Sequence, residues 1–248
     1  ISSGRLSAGS VSGDNSCRIT AGYQGKLDTH DLTIKDINGV TPQAVPYSQT
    51  FSSGKPGGSQ GWEYRSTGEG RINVVGGRMR ADDSRGNGTY SLNEMILHLN
   101  LAGKSGVVLR FDHWDRYDEN RALPSKFTGS YNGDGVSFSA DGKTWCRLTS
   151  LSGNFTGRSF NLDAAVKAAG ISYTSDFRIK FQQYDNFPAP SDGREFDNIS
   201  VSAGPVLVRL AVVGPTTVNE STAVQYTCRA YYSDGSIRDV TPVAGWSE

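Results

Sequence analysis

A strand–turn–strand pattern at residues 132–148 (NGDGVSFSADGKTWCRL) constrains the fold more than any other stretch of this chain. Apolar residues alternate with Ser137 and Ser139, at the period of two that is typical of a β-strand buried on one face. The dipeptide Asp141-Gly142 predicts a tight turn, because Gly accepts the positive φ of hairpin turns. A second strand follows at 144–148. The stretch therefore predicts a β-hairpin within a sandwich of two sheets.

The composition supports a turn-rich β protein. The 248 residues include 30 Gly, 11 Tyr and only 2 Met, and residues 161–170 (NLDAAVKAAG) are the one segment of helical composition. Twenty-five basic and 25 acidic residues balance, so the charge pattern expected for nucleic-acid binding is missing. No apolar run approaches the roughly 20 residues of a membrane helix. The first residue is not Met and no signal-peptide pattern is present, so we expect a fragment of a longer or processed protein.

The middle of the chain contains successive strand candidates about ten residues apart, without helices between them. This spacing predicts an antiparallel sandwich rather than a βαβ fold. A linker-like stretch with two prolines at 41–46 precedes it, and 47–51 is its first strand. We expect seven residues on the inner faces of the two sheets: Val136, Phe138, Trp145, Phe177, Ile179, Phe181 and Ile199.

The hairpin at 132–148 and the strand at 196–201 (FDNISV) resemble parts of extracellular jelly-roll modules of the MAM and reelin-repeat type. The resemblance covers about residues 47–202 and implies a jelly-roll β-sandwich. It also implies a structural Ca²⁺, with Asp197 matching the family's aspartate. No EF-hand spacing is present. Other acidic residues could supply oxygen ligands: Asp112, Asp115, Asp118, Glu119, Asp134 and Asp185.

The two ends of the chain each resemble half of a bacterial Ig-like (BIG-type) domain. Residues 1–37 contain three short alternating segments (1–9, 15–23 and 31–37), and 206–246 contain three more around a Ser-Asp-Gly-Ser turn at 233–236. The first set resembles the second half of the family's domain, and the other set resembles its beginning. The resemblance implies residues 1–40 as a C-terminal Ig-like half, 41–203 as the jelly roll and 204–248 as an N-terminal half.

The Ig-like resemblance also implies a disulfide between Cys17 and Cys228, since the strands that carry them would face each other across a sandwich. The alternative is two unrelated small buried thiols. A bridge could close within one chain or between chains. Cys146 is left over, and we interpret it as free and buried.

The most polar run, DHWDRYDENR at 112–121, follows a strand candidate and predicts a loop. Such a loop could bind a sugar, because aromatic rings stack on pyranose faces while carboxylates and Arg bind hydroxyls. The alternative is a solvated loop whose acids pair with its own arginines. The candidate glycan-binding residues are Asp112, Trp114, Asp115, Arg116, Tyr117, Tyr131 and Tyr184.

Catalytic motifs are absent from the sequence: the three His residues occur without H-E-x-x-H or G-x-S-x-G, so we expect no enzyme. Two functions remain open. The first is a secreted or cell-surface structural and adhesive subunit, forming a head-to-tail fibre through copies of itself whose Ig-like halves complete each other. A variant of it is a piece of a tandem-repeat chain with continuous Ig-like domains. The alternative is a carbohydrate-binding module with Ig-like spacers, from a secreted polysaccharide-degrading protein.

Overall fold

The computed structural model describes residues 15–34, 39–187, 189–205, 207–232 and 235–247. Within these residues the chain is almost entirely β, as the sequence predicts, with one α-helix and a single 3₁₀ turn at Gly58–Gln60. The elements are β1 (Asn15–Tyr23), β2 (Lys26–Ile34), β3 (Tyr47–Gln49), β4 (Trp62–Ser66), β5 (Gly70–Val75), β6 (Arg78–Asp83), β7 (Ser91–Leu99), β8 (Val108–Asp115), β9 (Lys126–Thr128), β10 (Gly135–Ser139), β11 (Thr144–Thr149), β12 (Phe155–Asn161), α1 (Leu162–Ala169), β13 (Phe177–Asp185), β14 (Arg194–Ser202), β15 (Leu207–Val213), β16 (Thr227–Tyr232) and β17 (Ile237–Asp239).

Two antiparallel sheets form the central sandwich. The front sheet has the order β4-β7-β13-β10-β11-β9. The back sheet has the order β12-β8-β14-β6-β5, with β3 also paired to β14. Tyr47 on β3 lies opposite Val201 on β14, so the chain enters and leaves the sandwich at adjacent positions. Neighbouring strands in each sheet are mostly distant in sequence, as expected for a jelly roll rather than a meander.

The main hydrophobic core lies between these sheets. Six of the seven residues predicted on inner faces belong to it: Val136, Phe138, Phe177, Ile179, Phe181 and Ile199. Phe181 is central, with its ring 5.3 Å from both Phe111 and Phe196 of the back sheet. Aromatic side chains of this size bury large apolar areas and stabilise each other edge to face.

Trp145 is the exception, and the predicted inner-face position for it is wrong. Its neighbour Cys146 belongs to the main core, so Trp145 points to the opposite face of the front sheet. There it is buried in a second cluster with Ile96, Leu123 and Phe127. Residues 117–134 form this cover: Leu123 and Phe127 supply its apolar contacts, and Gln182 donates to the carbonyl oxygens of residues 131 and 133. The front sheet is therefore buried on both faces.

The predicted hairpin is confirmed as β10 and β11. Gly142 has φ +68°, in the left-handed region that Gly adopts without strain. The Asp141 carboxylate accepts from the amides of Lys143 and Thr144, at 2.8 Å each, which is the local pairing that makes Asp favourable in turns. The helix is confirmed as well: Asn161 caps its N-terminus by accepting from the Ala164 amide, and Gly170 ends it at φ +67°.

The flanking segments form two separate sheets. Strands β1 and β2 pair as a two-stranded hairpin, and β15, β16 and β17 form a three-stranded sheet. The expected segment at 15–23 is confirmed as strand β1, and β15 is a strand of the expected set within 206–246. The expected segment at 1–9, part of 31–37 and half of the turn at 233–236 lie outside the described residues. The union of the two ends into one Ig-like sandwich stays a prediction.

All three cysteines lie within the described residues, and none of them forms a disulfide there. Cys17 is partly exposed, whereas Cys146 and Cys228 are buried. A Cys17–Cys228 bridge inside one chain is therefore not part of this structure. A bridge between chains stays a prediction, while burial of Cys146 as a free thiol is confirmed.

Candidate functional site

Side-chain alternation places an ordered polar array on the outer face of the back sheet. In the register of β8, β14 and β6, Trp114 lies opposite Glu195, and Glu195 lies opposite Arg80. The flanking residues His113, Phe196 and Met79 are buried beneath them. Because successive strand residues point to opposite faces, Trp114, Glu195 and Arg80 all point away from the core.

Glu195 organises this array. Its carboxylate accepts from Arg80 Nε at 2.8 Å and from Arg78 Nη1 at 3.2 Å, and Arg116 Nη1 lies 3.5 Å from it. Glu195 itself is buried, while the arginines remain accessible to different degrees. One buried carboxylate shared by three guanidinium groups holds their planar forks in fixed orientations and leaves N–H donors facing solvent.

Trp114 is part of the same array. The guanidinium carbon of Arg78 lies 3.6 Å from the centroid of the Trp114 ring, which is a close cation–π contact. The ring is partly exposed. Arg78 therefore restrains the indole on the outer face of the sheet, beside the donors that Glu195 positions. We call Asn73, Arg78, Arg80, Trp114, Arg116 and Glu195 the Trp114 face; Asn73 joins it as the exposed partner of Arg80 on β5.

The seven predicted glycan-binding residues are not all brought together. The predicted loop at 112–121 is wrong at its start, because β8 continues through Asp115. Asp112 is buried on the back sheet, where it accepts from the Gly157 amide and from Asn198 Nδ2, so its oxygens stabilise the fold. Asp115 lies 3.5 Å from Arg194. Tyr117 is 95% exposed.

Tyr131 and Tyr184 are elsewhere, on the covered side of the front sheet. Tyr184 is buried and packs edge to face with Tyr90, at 6.3 Å between ring centroids. Of the predicted set, only Trp114 and Arg116 belong to the Trp114 face. Sequence reasoning missed Arg78, Arg80 and Glu195. The alternating Arg-Met-Arg at 78–80 and Arg-Glu-Phe at 194–196 are the signals that could have indicated them, once the strand pairing was known.

A second polar cluster lies between the sheets at one end of the sandwich. Arg194 is fully buried there, with Nε 2.8 Å from Asp118 Oδ2 and 3.4 Å from Asp134 Oδ1. Burial raises the pKa of Asp118 to about 8, and the nearby Asp134 adds to the shift although Arg194 opposes it. Burial also raises the pKa of Asp134. The charge of Arg194 is thus shared by several buried carboxyl groups, and this shortage of positive charge favours protonation of some of them.

Other carboxyl groups of this cluster have oxygens without a hydrogen bond in the described structure: Asp83 Oδ2, Glu119 Oε2, Asp185 Oδ2 and Asp192 Oδ1. Burial, followed by the charges of Asp83 and Glu119, raises the pKa of Asp185 to about 6. Burial and the charge of Asp185 raise the pKa of Asp192 to about 7. At neutral pH a large share of the Asp118 and Asp192 carboxyl groups is therefore protonated, whereas Asp185 is mostly ionised.

The expected calcium ligand Asp197 lies apart from this cluster, on the outer face of the back sheet opposite Asp112. Its Oδ1 accepts from the Asn198 amide, and burial, with the charge of Asp112, raises its pKa. Across the part of the chain that the structure describes, no three His, Cys, Asp or Glu side chains form a group that could hold a metal ion. Calcium binding stays a prediction from the resemblance.

No family model and no curated protein matches the chain. Among solved structures, it is similar to a mutant of a family 29 carbohydrate-binding module, at 14% identity and a TM-score of 0.32 over 76% of this chain and 86% of the other. It is also similar to the tandem family 22 carbohydrate-binding modules of Xyn10C from Paenibacillus barcinonensis, at 9% identity and a TM-score of 0.33, over 77% of this chain and 61% of that one. At these TM-scores neither likeness assigns a family or a ligand. In the described residues, no helix is long and apolar enough to cross a membrane.

Proposed function

We propose that the sandwich binds polysaccharide through the Trp114 face. The observation that carries the proposal is the partly exposed indole of Trp114, held by Arg78 beside guanidinium groups that Glu195 orients. An indole presents an apolar surface on which a sugar ring can stack, and Arg, Asn and Glu supply donors and acceptors for hydroxyls. The role is binding rather than catalysis.

The two sheets differ in a way that supports this choice of surface. The front sheet's outer face is covered by residues 117–134, whose Leu123 and Phe127 pack on the buried Trp145. On the back sheet, Asn73 is exposed and Trp114, Arg78 and Arg80 remain partly exposed. An extended polysaccharide needs an open, fairly flat surface, and a sheet face of this kind can accept several consecutive sugars without the chain having to enter a closed pocket.

Affinity electrophoresis tests the proposal. The full chain is run through gels containing, in turn, a xylan, a glucomannan, a mixed-linkage β-glucan and a polyuronate. We expect retardation by at least one of these polymers and loss of at least tenfold in affinity for Trp114→Ala, which corresponds to about 1.4 kcal/mol. Arg116→Ala should weaken the same interaction, because Arg116 belongs to the face and its side chain is 42% exposed there.

Trp246→Ala is the matched control, since Trp246 is 49% exposed and lies outside the sandwich. It should bind like the unchanged chain. If Trp114→Ala is folded by circular dichroism and is retarded as strongly as the unchanged chain, the Trp114 face is the wrong surface. If none of the polymers retards the chain, the polysaccharide proposal itself is contradicted.

Assembly into a head-to-tail fibre, secreted or at a cell surface, is a second candidate function. The observation that favours it is strand β15, on which five of seven side chains are large, apolar and exposed: Leu207, Val208, Leu210, Val212 and Val213. Strands of this kind promote association between chains. Assembly and polysaccharide binding would use different residues, so a substitution that tests one function should not affect the other.

A further inference from the structure

The Trp114 face carries an excess of positive charge on a chain that is neutral as a whole. It has three guanidinium groups and one carboxylate, whereas the 25 basic and 25 acidic residues of the full sequence balance. Depth increases the contrast, because the side chains of Arg78 and Arg116 are 38% and 42% exposed while that of Glu195 is 3% exposed. A ligand that approaches the face therefore meets mainly cations.

The face also has many more hydrogen-bond donors than acceptors. A guanidinium group has five N–H donors and no acceptor, and Glu195 accepts from three of these donors, one on Arg78 and two on Arg80. Arg116 is held less firmly: its Nε has no hydrogen-bond partner among the described residues, and its Nη1 lies 3.5 Å from Glu195. Three bonds to one carboxylate thus leave most N–H groups of the face without an acceptor in the described part of the chain.

The residues at the margin of the face do not reverse this balance. Asp112 is buried, and both of its oxygens accept hydrogen bonds from the protein. Asp197 is partly exposed on the same side of the sheet. Arg110 is exposed there as well, and it points outward because both of its neighbours on β8 belong to the core. One exposed cation and one partly exposed carboxylate offset each other, so the excess on the Trp114 face remains.

The kind of sugar that fits this face depends on what its groups donate and accept. A hydroxyl of a neutral sugar both donates and accepts. Its proton would find few acceptors here, since Glu195 is buried and occupied and the exposed acceptor of the face is the amide oxygen of Asn73. A carboxylate only accepts, and its two oxygens match the planar fork of a guanidinium group. A uronic acid, with one carboxylate on each ring, therefore fits the face better than a neutral sugar does.

We propose that the Trp114 face selects acidic polysaccharides built from uronic acids. This inference rests on the proposed polysaccharide-binding function and names the chemical class of its ligand. The sugar ring stacks on the indole of Trp114, and its carboxylate pairs with the guanidinium groups beside that ring. Arg78 already lies against the indole. Arg116, which has the fewest bonds within the protein, is the main determinant of the preference for a carboxylate.

Affinity electrophoresis of the full chain with matched pairs of polymers tests the inference. Polygalacturonate and alginate are each compared with the same polymer after its carboxylates have been reduced to primary alcohols, which keeps the backbone and removes the charge. We expect the acidic form to bind more tightly by about tenfold or more, because charge-assisted hydrogen bonds are stronger than neutral ones. Raising NaCl from about 0.05 M to about 0.5 M should weaken binding to the acidic form and change binding to the reduced form little.

Two substitutions of one residue identify the group that recognises the carboxylate. Arg116→Gln removes a charge and should lower affinity for the polyuronate by about tenfold, with a much smaller effect on the reduced polymer. Arg116→Lys keeps the charge without the planar fork and should lose less. Lys167→Gln is the matched control, since it removes one exposed charge on α1, whose first residue bonds to Val107 before the opposite end of β8. It should bind like the unchanged chain.

The outcomes separate the ligand class from the binding function. If reduced or neutral polymers bind as tightly as the acidic ones and Trp114→Ala abolishes that binding, the binding function holds and the preference for uronic acids is wrong. Equal loss in Lys167→Gln and Arg116→Gln, or equal binding of a sulfated galactan, would mean attraction by charge in general and would also contradict the inference. Absence of binding to every polymer contradicts both. The comparison of acidic with reduced polymers uses the unchanged chain, so it decides the matter even if a variant fails to fold.

Discussion

A buried lysine shows how single residues determine the packing of the front sheet. Lys180 is fully buried; its Nζ lies 2.6 Å from Glu94 Oε1 and 3.1 Å from the Gly129 carbonyl oxygen. The centroid of the Trp145 ring lies 4.0 Å from Lys180 Nζ. Burial lowers the pKa of Lys180, and the charge of Glu94 partly offsets the shift. This ammonium group links the sheet to the residues that cover it.

Removing Lys180 should therefore be costly. We expect Lys180→Ala to lower the free energy of unfolding by about 3–5 kcal/mol, mainly because the Glu94 carboxylate is left buried without a cation. Adding Glu94→Gln should recover part of the loss, since it removes the uncompensated charge. Urea unfolding measures both effects. Lys167→Ala, on the exposed side of α1, is the control and should change stability by less than about 0.5 kcal/mol. A small effect of Lys180→Ala would contradict the ion pair.

At the residue scale, sequence reasoning identified residues that matter but not their roles. Trp114 and Arg116 could be selected because aromatic and charged residues were adjacent in the sequence. Glu195 could not, since its importance depends on strands β14, β6 and β8 being neighbours. Strands β6 and β14 are more than a hundred residues apart in the sequence. In the sequence, Lys180 occupies a polar position of an alternating strand, which predicts exposure to solvent. It is buried only because residues 117–134 cover that face of the sheet.

At the element scale, local signals were sufficient for the hairpin β10–β11 and for α1. The turn Asp141-Gly142 and the caps Asn161 and Gly170 act through hydrogen bonds within a few residues, so no long-range information is needed. Strands β9 and β12 were missed. Strand β9 has three residues, too few for a period to be recognised. Strand β12 contains Gly157 at φ +60° and a register shift, which interrupt alternation.

The wrong face predicted for Trp145 has a general cause. A period of two predicts that alternate residues share a face, but it identifies the core face only when the other face is polar. On β11, Trp145 and Cys146 are both buried, one under residues 117–134 and one between the sheets. A sheet covered on both faces therefore leaves the choice undetermined in the sequence.

The two cysteines provide a prediction about the flanking elements. If the Ig-like halves of neighbouring chains complete each other, the resemblance implies that Cys17 of one chain and Cys228 of the next face each other across the joint. A chain with Cys17→Ser is mixed with a chain with Cys228→Ser, and oxidised glutathione is added as the oxidant. We expect a disulfide-linked heterodimer, with two reduced glutathione molecules released for each bridge formed.

Non-reducing electrophoresis and mass spectrometry of the linked peptides detect that bridge, which can form only where the two Cα atoms come within about 7 Å of each other. Each variant alone is the control and should stay a monomer on the gel. Peptides linked through Cys146 would show oxidation of unfolded chains instead. Absence of any linked heterodimer, with association intact, would contradict the predicted pairing of these cysteines.

At the scale of the whole molecule, the sequence predicted the class of architecture more reliably than its function. Strand spacing and glycine content are sufficient for an antiparallel sandwich, because they reflect chain-wide composition. The position of a ligand face depends on which outer surface stays open. Residues 117–134 decide that by covering the front sheet, and their polar sequence resembles that of an exposed loop. The predicted domain boundaries and the split Ig-like domain stay predictions.

The buried acids and His98 together predict how the stability of the whole chain depends on pH. Burial raises the pKa of Asp192 to about 7 and of Asp118 to about 8. The stability that these two acids contribute is complete below about pH 3.9, the pKa of Asp in the unfolded chain. It is lost as pH rises through their pKa values in the folded chain. His98 is held by Asp176 at 2.7 Å and Glu63 at 3.2 Å, and although burial opposes it, these carboxylates raise its pKa. Its contribution is likewise lost as pH rises through the raised value.

His113 acts in the opposite direction at low pH, which sets the lower end of the window of the test. Burial lowers the pKa of His113 to about 4, so folding is disfavoured as pH falls below the unfolded value of about 6.5. That effect is absent above pH ~6.5, and the carboxylates with lowered pKa values, such as Glu63 at about 2, are fully ionised there. Between pH ~6.5 and ~8.5 the groups with raised pKa values therefore set the slope, and the free energy of unfolding should decrease with pH. The lowered pKa values of Lys55 and Lys180 make this decrease smaller.

Urea unfolding at several pH values across that window measures the slope. Asp192→Asn replaces an acid that must ionise in the folded state with a neutral amide of the same shape, so its stability should fall less between pH ~6.5 and ~8.5 than that of the unchanged chain. Asp28→Asn, on the exposed face of the β1–β2 hairpin, is the matched control and should keep the unchanged slope. Because ionisation of an acid whose pKa is raised by burial destabilises the folded state, a stability that rises across this window would mean that the acids at the end of the sandwich are stabilised by a positive charge that the described residues do not supply.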